Sequence, residues 1–471
     1  MSPQRIVVVG ADAAGMSAAS QALRTARGLG RQVQVTVLER TRHTSYSACG
    51  LPYWVAGEVD GPDALVARTP EQHRAAGIDL RTEASAVGVD LAGRRVTVQG
   101  PGGTEVLDFD DLVLATGADP ELPDWAVDAD GHLLEGVAPL KTLDDGATWR
   151  DLLDGPARAV TVVGGGYIGL EMCEAALARG HRVTLATRSR VMSRLDPAMS
   201  ARSAEALRGS GVTVLTDTPV SGLRLVHGRP AAVQHPDGET ATDLVLVALG
   251  VRPNTALVAG QLPDELVGPS GGLRPDPHGR VVEGLWAAGD CVEVRHRLSG
   301  EWVHLPLGTH ANKHGRALGD SVVRIPAGRA PHLHFDGALG TAITRFAGPA
   351  GPVEVGQTGL SLAGAERAGL DAVALTTEGS TVSGYMPDAE PMAVQVVAER
   401  GSRRLLGVEV VGGTGSAKRV DAAAAVLWYG GTVDDLAWMD LSYAPPFATA
   451  WELLQVASRR VAEQLDRDDL T

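Results

Sequence analysis

Twice along the chain, an unbroken apolar run ends in a glycine-rich turn and passes into a stretch rich in small residues. The first is Ile6-Val7-Val8-Val9, followed by Gly10-Ala11-Asp12-Ala13-Ala14-Gly15 and then Met16 to Leu23, which reads as a helix. The second is Val160-Thr161-Val162-Val163, followed by Gly164-Gly165-Gly166-Tyr167-Ile168-Gly169 and a predicted helix carrying Glu171. Apolar residues without polar alternation are what a parallel strand buried on both faces requires. Each unit is followed by another predicted strand. Val33 to Leu38 ends in Glu39, whereas Val183 to Ala186 ends in Thr187-Arg188. Two shorter runs have the same character: Asp111 to Leu114, turning at Ala115-Thr116-Gly117-Ala118, and Leu285 to Ala288, turning at Gly289-Asp290.

Strand, glycine turn, helix and strand form a dinucleotide cradle. The first glycine permits the tight turn, the last lets helix and strand pack closely, and the helix N-terminus favours a pyrophosphate. The candidate contacts are Gly10, Ala11, Ala14 and Gly15 in the first unit and Gly164, Gly166, Ile168 and Gly169 in the second. The first turn carries Asp12 where a middle glycine is usual, so the second is the cleaner fingerprint. Glu39, with Arg40 after it, stands where a carboxylate accepts hydrogen bonds from an adenosine ribose; a solvated strand end is the competing reading. In the second unit the acid is missing, and the forked guanidinium of Arg188 suits a 2′-phosphate, with Arg190 near it. Two such sites in one chain point to a flavin and a nicotinamide that exchange electrons.

Composition narrows the class. The 471 residues suggest about three domains. A net charge of -15 argues against a nucleic-acid or membrane-surface binder, which needs a basic face. With 4% aromatic residues the cores must be aliphatic and alanine-rich. Three cysteines are too few for a disulfide framework and fit a reducing, cytoplasmic setting. No signal-peptide pattern and no membrane-spanning run is expected. Of the cysteines, Cys49 lies in Ser45-Tyr46-Ser47-Ala48-Cys49-Gly50-Leu51-Pro52-Tyr53, closely after the first nucleotide unit. A helix N-terminus or a cationic neighbour can turn such a thiol into a standing thiolate. An inert buried cysteine is the alternative.

Taken together, these segments resemble the FAD-dependent pyridine nucleotide-disulfide oxidoreductase family over essentially the whole chain. Ala115-Thr116-Gly117-Ala118 and Ala288-Gly289-Asp290 are similar to its flavin signatures, and Tyr167 and Glu171 to its nicotinamide-side pair. The resemblance implies an α/β fold: two Rossmann-like dinucleotide-binding domains, for FAD and NAD(P), plus a C-terminal α+β dimerisation domain. The expected division is 1–120 with 253–330 for FAD, 121–252 for NAD(P), and 331–471 for dimerisation. It adds Thr116, Gly117, Asp290 and Leu307 to the flavin contacts and Tyr167, Glu171 and Gly250 to those of the nicotinamide nucleotide. The FAD partner is expected to be NADPH, with NADH possible.

Within the family the single thiol decides the subgroup. Dithiol reductases carry C-x-x-x-x-C, but here Ser45 stands four residues before Cys49. NADH oxidases and peroxidases typically place a His inside the first glycine turn, where this chain has Ala13. The run Cys49 to Tyr53 resembles the coenzyme A-disulfide reductases most closely. In the C-terminal third, a new αβ region is expected to open at Gly337. Gly384-Tyr385-Met386-Pro387 is similar to that subgroup's Tyr-Tyr-Pro-Gly turn, with Met386 and Asp388 as departures. Leu441-Ser442-Tyr443-Ala444-Pro445-Pro446-Phe447 matches its Tyr-Ala-Pro-Pro segment, which reaches the partner's flavin and cysteine across a homodimer. No further domain is expected after Asp469.

The resemblance implies hydride transfer from NADPH to FAD, reduction of a Cys49 mixed disulfide, and release of coenzyme A thiols. Cys49, Tyr443 and Tyr385 are the expected catalytic residues, with Tyr443 as proton donor. Ser45, Arg24, Arg27 and Arg68 are the candidates for holding coenzyme A disulfide. No metal site is expected. An NAD(P)H oxidase and a persulfide or polysulfide reductase remain open, as does a non-catalytic flavoprotein.

Overall fold

The computed structural model describes residues 2–348, 351–468 and 470; Asp469, after which no further domain is expected, lies outside them. The apolar runs become the inner strands of two sheets. In the first, Gln4–Val9 lies between Val33–Leu38 and Asp111–Leu114, all parallel, with every side chain from Ile6 to Val9 contacting protein. Asp79–Arg81 extends the sheet on one side. On the other come Leu285–Ala287, parallel, and Arg280–Val282, an antiparallel edge. One sheet thus gathers strands from both ends of the first three hundred residues.

The helix after the first turn spans Ala13–Gly28 and so begins earlier than Met16. Small residues cost little side-chain entropy in a helix, so Ala13 and Ala14 join it directly from the turn. Its alanine face packs on a second helix, Gly308–Arg324. A Cβ on Gly315 would collide with the Ala14 carbonyl, and one on Gly319 with that of Ala18. Only glycine lets these helices approach so closely.

The second sheet is wholly parallel, in the order Thr213–Leu215, Arg182–Ala186, Ala159–Val163, Leu244–Val247, Val137–Ala138. The chain enters and leaves this part through two paired segments, Ala118–Pro120 and Val251–Pro253, which run antiparallel. The crossings read from sequence at Pro120 and Arg252-Pro253-Asn254 therefore lie side by side.

The last third differs in kind. Five antiparallel strands, Ala342–Ala347, Pro352–Gly359, Leu405–Gly412, Pro391–Glu399 and Ala372–Ser380, form one sheet. Helices Val420–Trp428, Val433–Trp438 and Leu453–Asp468 share a core with it. The architecture is thus α/β with two Rossmann-like sheets and an α+β C-terminal part. Among the described residues no helix is long and apolar enough to cross a membrane.

Candidate active site

Both glycine turns have the shape a dinucleotide needs. Gly10 and Gly164 sit at φ +103° and +119°, where a side chain is strained. A Cβ on Gly10 would strike the Ala115 carbonyl, and one on Gly164 the Ala248 carbonyl. Gly15 and Gly169 likewise leave no room for a Cβ against the carbonyls of Gly10 and Gly164. The following helices start at Ala13 and Tyr167, and neither N-cap residue, Asp12 or Gly166, caps with its side chain. Their first N–H groups are left for a ligand. These cradles fit the two nucleotides.

Around the first turn, Glu39 accepts from the Ala11 N–H at 3.0 Å and from the Thr41 N–H at 2.8 Å. Arg40 pairs with Asp119 at 2.7 Å instead of facing the turn. Thr116 donates from its hydroxyl to the Asn254 carbonyl, and the Asn254 N–H donates back to the Gly117 carbonyl at 3.0 Å. Asp290 follows Gly289, which has φ +87°, and is paired with Lys141 at 3.0 Å. Leu307 precedes the helix Gly308–Arg324 as its N-cap. Sequence reasoning missed Lys141. It is set by a helix start: Asp145 accepts from the N–H groups of Lys141 and Thr142, and Thr142 accepts from that of Asp145. The pattern Thr142-x-x-Asp145 was the available signal. Asp12 was noted only as a missing glycine. Its Oδ1 is buried without a partner, and burial, with Glu39 nearby, raises its carboxyl to about 6.

The second turn faces different chemistry. Thr187 is buried, and Arg188 is exposed with no ion pair among the described residues. Arg190 reaches the Leu195 carbonyl at 3.4 Å. Gly250, at φ +118°, accepts from the Glu121 N–H at the chain crossing. Tyr167 has a buried hydroxyl without a partner among the described residues, and Ile168 follows it on the helix. Glu171 accepts from the Thr344 hydroxyl at 2.8 Å, and burial raises it to about 7. Thr344, from the C-terminal sheet, was invisible in sequence.

Cys49 lies in a single helical turn, Ala48–Gly50, that leads into the helix Leu51–Ala56. Although the residue is exposed, protein packed against it desolvates the thiolate, and the thiol is pushed up, not down. Glu171 adds to this, Lys141 opposes it, and Asp290 and Asp12 add again. Burial first, and then the carboxyls against the Lys141 ammonium, thus act against the standing thiolate named as an option in the sequence. Cys173 and Cys291 are fully buried, and the Cys291 thiol faces the carbonyls of Leu114 and Ala288.

Four candidates for substrate contact separate. Ser45, at φ +50°, places its hydroxyl 2.9 Å from Nε2 of His73, a buried residue not singled out from sequence. Arg24 and Arg68 converge with Arg316 of the Gly308–Arg324 helix: the charges of Arg316 and Arg68, after burial, lower the Arg24 guanidinium. None of the three has an ion pair among the described residues. Arg27 lies in the last turn of its helix. Arg316 went unnoticed because it is more than two hundred residues from Cys49.

Tyr385 and Tyr443 are 75% and 50% exposed, and among the described residues neither side chain bonds to the Cys49 loop. Their two loops meet each other, as the Ser383 N–H donates to the Pro445 carbonyl at 3.2 Å. Phe447 and Trp451, on the same segment as Tyr443, are exposed as well, leaving an aromatic surface on an aromatic-poor protein.

Residues 4–315 match the family described as pyridine nucleotide-disulphide oxidoreductase, and 351–454 match its dimerisation domain. The chain is 36% identical over 463 residues to the NAD(P)H coenzyme A polysulfide/persulfide reductase of Pyrococcus horikoshii, covering 97% of this chain and 98% of that one. It is 24% identical to the coenzyme A disulfide reductase of Staphylococcus epidermidis strain RP62A, covering 96% and 98%. A solved NAD-dependent persulfide reductase from A. fulgidus superposes with a TM-score of 0.89 at 30% identity, over 98% of this chain and 84% of that one.

Proposed function

The chain belongs to the pyridine nucleotide-disulphide oxidoreductases, and from that premise we propose that it reduces a small disulfide through Cys49, with coenzyme A disulfide as the substrate. The cofactors of this family are FAD and NAD(P)H, and both cradles fit them. The division 1–120 with 253–330, 121–252, and 331–471 is our reading of the domains. A homodimer built on the C-terminal part, in a reducing cytoplasm, completes the proposal.

The observation that carries the substrate is that the charges of Arg316 and Arg68 reach Arg24, none of the three having an ion pair among the described residues, with Arg68 directly after Ala67, which donates to the Ser45 carbonyl. In a chain of net charge -15, three arginines with no carboxylate among them suit a polyphosphorylated molecule. Arg188 in turn supports NADPH over NADH, by offering a forked donor to a 2′-phosphate.

When bound, FAD and NADPH supply the two electrons. Glu39, Asp290 with Lys141, and the Gly10–Gly15 turn would hold the flavin; Tyr167, Glu171 and Arg188 would hold the nicotinamide nucleotide. The Cys49 thiol must lose its proton before it attacks a disulfide sulfur, expelling one thiolate and forming a mixed disulfide. The departing thiolate takes a proton, which Tyr443 of a second copy is suited to give. Two electrons and two protons per disulfide yield two thiols.

The relative from Pyrococcus horikoshii favours a second reading, a persulfide or polysulfide substrate, in which Cys49 attacks sulfane sulfur. The test is NADPH oxidation with oxidised coenzyme A, with a polysulfide and with oxygen, compared in the unmodified protein and in Cys49→Ser. Expected is turnover of oxidised coenzyme A that Cys49→Ser abolishes while keeping bound flavin. Turnover of polysulfide alone would select the second reading, and undiminished reduction by Cys49→Ser would end both.

A further inference from the structure

Ser45 opens the loop that carries Cys49, and its φ of +50° lies in the left-handed region that non-glycine residues rarely occupy. Backbone contacts impose it. The Ser45 N–H donates to the Ala11 carbonyl at 3.2 Å, its carbonyl accepts from Ala67 at 2.8 Å, and Tyr46 pairs with Val66. The hydroxyl is therefore delivered to a fixed place, 2.9 Å from His73 Nε2. His73 is 2% exposed, and its Nδ1 is buried with no hydrogen-bond partner among the described residues.

That missing partner makes the two neutral tautomers unequal. A proton on Nδ1 would be a buried N–H with no acceptor, the rarer and costlier kind of orphan. A proton on Nε2 points instead into Ser45 Oγ and leaves Nδ1 a bare lone pair. The serine hydroxyl then accepts from the ring and must direct its own O–H elsewhere. Thr44 Oγ1, whose own proton goes to the Ala11 carbonyl, could accept it but stands at 3.4 Å, beyond the usual range for such a bond, so a closer acceptor would take it.

We propose that His73 is a positioning residue that turns Ser45 into a hydrogen-bond donor aimed at the disulfide substrate. The proposal rests on the reading above for the identity of that substrate. Burial and the charge of Arg68 both lower His73, which keeps the ring neutral as the arrangement requires. The acceptor is either an amide carbonyl of the substrate's thiol arm or a sulfur of the disulfide.

Nitrogen NMR on flavin-loaded protein labelled with ¹⁵N-histidine reads the tautomer without any substrate, with His73→Gln assigning the signal. An Nε2–H ring is expected; an Nδ1–H ring, or a doubly protonated one at neutral pH, overturns the proposal. Kinetically, Ser45→Ala and His73→Leu should each raise KM for oxidised coenzyme A by roughly tenfold, the weight of one hydrogen bond, with little change in kcat. The double variant should be no worse than either. His73→Gln, whose amide can donate to the same hydroxyl, should recover most of the loss. An unmoved KM in His73→Leu, or additive effects, overturns the proposal; should that variant lose its flavin, Ser45→Ala and the tautomer signal decide. A penalty confined to oxidised coenzyme A puts the acceptor on the amide arm, and one shared with hydroxyethyl disulfide puts it on sulfur. If the unmodified protein does not turn over oxidised coenzyme A, the substrate reading fails, while the tautomer still decides the role of His73.

Discussion

The two glycine turns have nearly the same backbone and opposite surroundings. Gly10 and Gly164 share a positive φ and the same close approach to a neighbouring strand's carbonyl, as do Gly15 and Gly169 to their own turns. Yet the first strand pair ends in Glu39, with Asp12 and Asp290 near, while the second ends in Thr187 and the unpaired Arg188. On the proposed reading, the shared backbone geometry holds a dinucleotide and the charge beside it selects which one. The Cys49 thiol feels both halves, with Asp12, Asp290 and Lys141 on one side and Glu171 on the other.

The strongest way to break the comparison is to remove the shared backbone feature from one turn at a time. Gly10→Ala should yield protein without flavin. Gly164→Ala should keep flavin, visible in the absorption spectrum, while NADPH-dependent reduction falls by roughly a hundredfold, as misplacement of about 1 Å can do. Alanine tolerated at either position would mean the carbonyl contacts do not shape the turn.

Exchanging the charge comes next. Arg188→Glu gives the second turn the acid of the first, and should raise KM for NADPH by about 10- to 150-fold, the equivalent of about 1.5–3 kcal/mol for charged hydrogen bonds. KM for NADH should change little. Equal penalties on both cofactors would show that Arg188 does not read the phosphate.

Asp12 sharpens the contrast through pH. Its carboxyl rises from 3.8 to about 6 in the folded protein, so the folded state holds a proton the unfolded state releases sooner. Stability is therefore lost as pH climbs from 3.8 through about 6, and the charged carboxylate weighs on the fold above that. Asp12→Asn should gain stability above pH 6, on the order of 2 kcal/mol, and nothing near pH 4. Urea unfolding at both pH values is the check, and a gain equal at the two would refute the assignment. The second turn, with Gly166 in the equivalent place, carries no such group.

The smallest effect concerns Lys141, the one cation lowering Cys49. Lys141→Gln should move the pH profile of Cys49 alkylation further upward, since burial and three carboxyls then act unopposed. A downward shift, measured by iodoacetamide labelling, would reverse the electrostatic account of the thiol.

What could be read in advance was local. Glycine spacing, unbroken apolar runs and the residues at strand ends are properties of short segments, so both turns, and the places of Glu39, Arg188 and Tyr167 beside them, were legible. Cys49 stood out as a candidate because the other two cysteines lie inside nucleotide units. The helix start at Ala13 was misplaced because alanine carries no boundary signal of its own. Arg24 and Arg27 were grouped for being near each other in sequence, and Arg316, which reaches Arg24 through space, was not.

The sequence by itself determined two nucleotide-binding units, the sign of the charge beside each, and a lone thiol following the first. Tertiary structure alone decided what surrounds that thiol. Lys141, Glu171, Asp12 and Asp290 meet near Cys49, Arg316 reaches Arg24 and Arg68, and Thr344 reaches Glu171 from the C-terminal sheet. The physical reason is that glycine turns act through the few peptide units they contain, whereas electrostatic and hydrogen-bond partners act through space. Residues a hundred or more positions apart become neighbours only when sheets and helices pack, and no short window of the chain records that meeting.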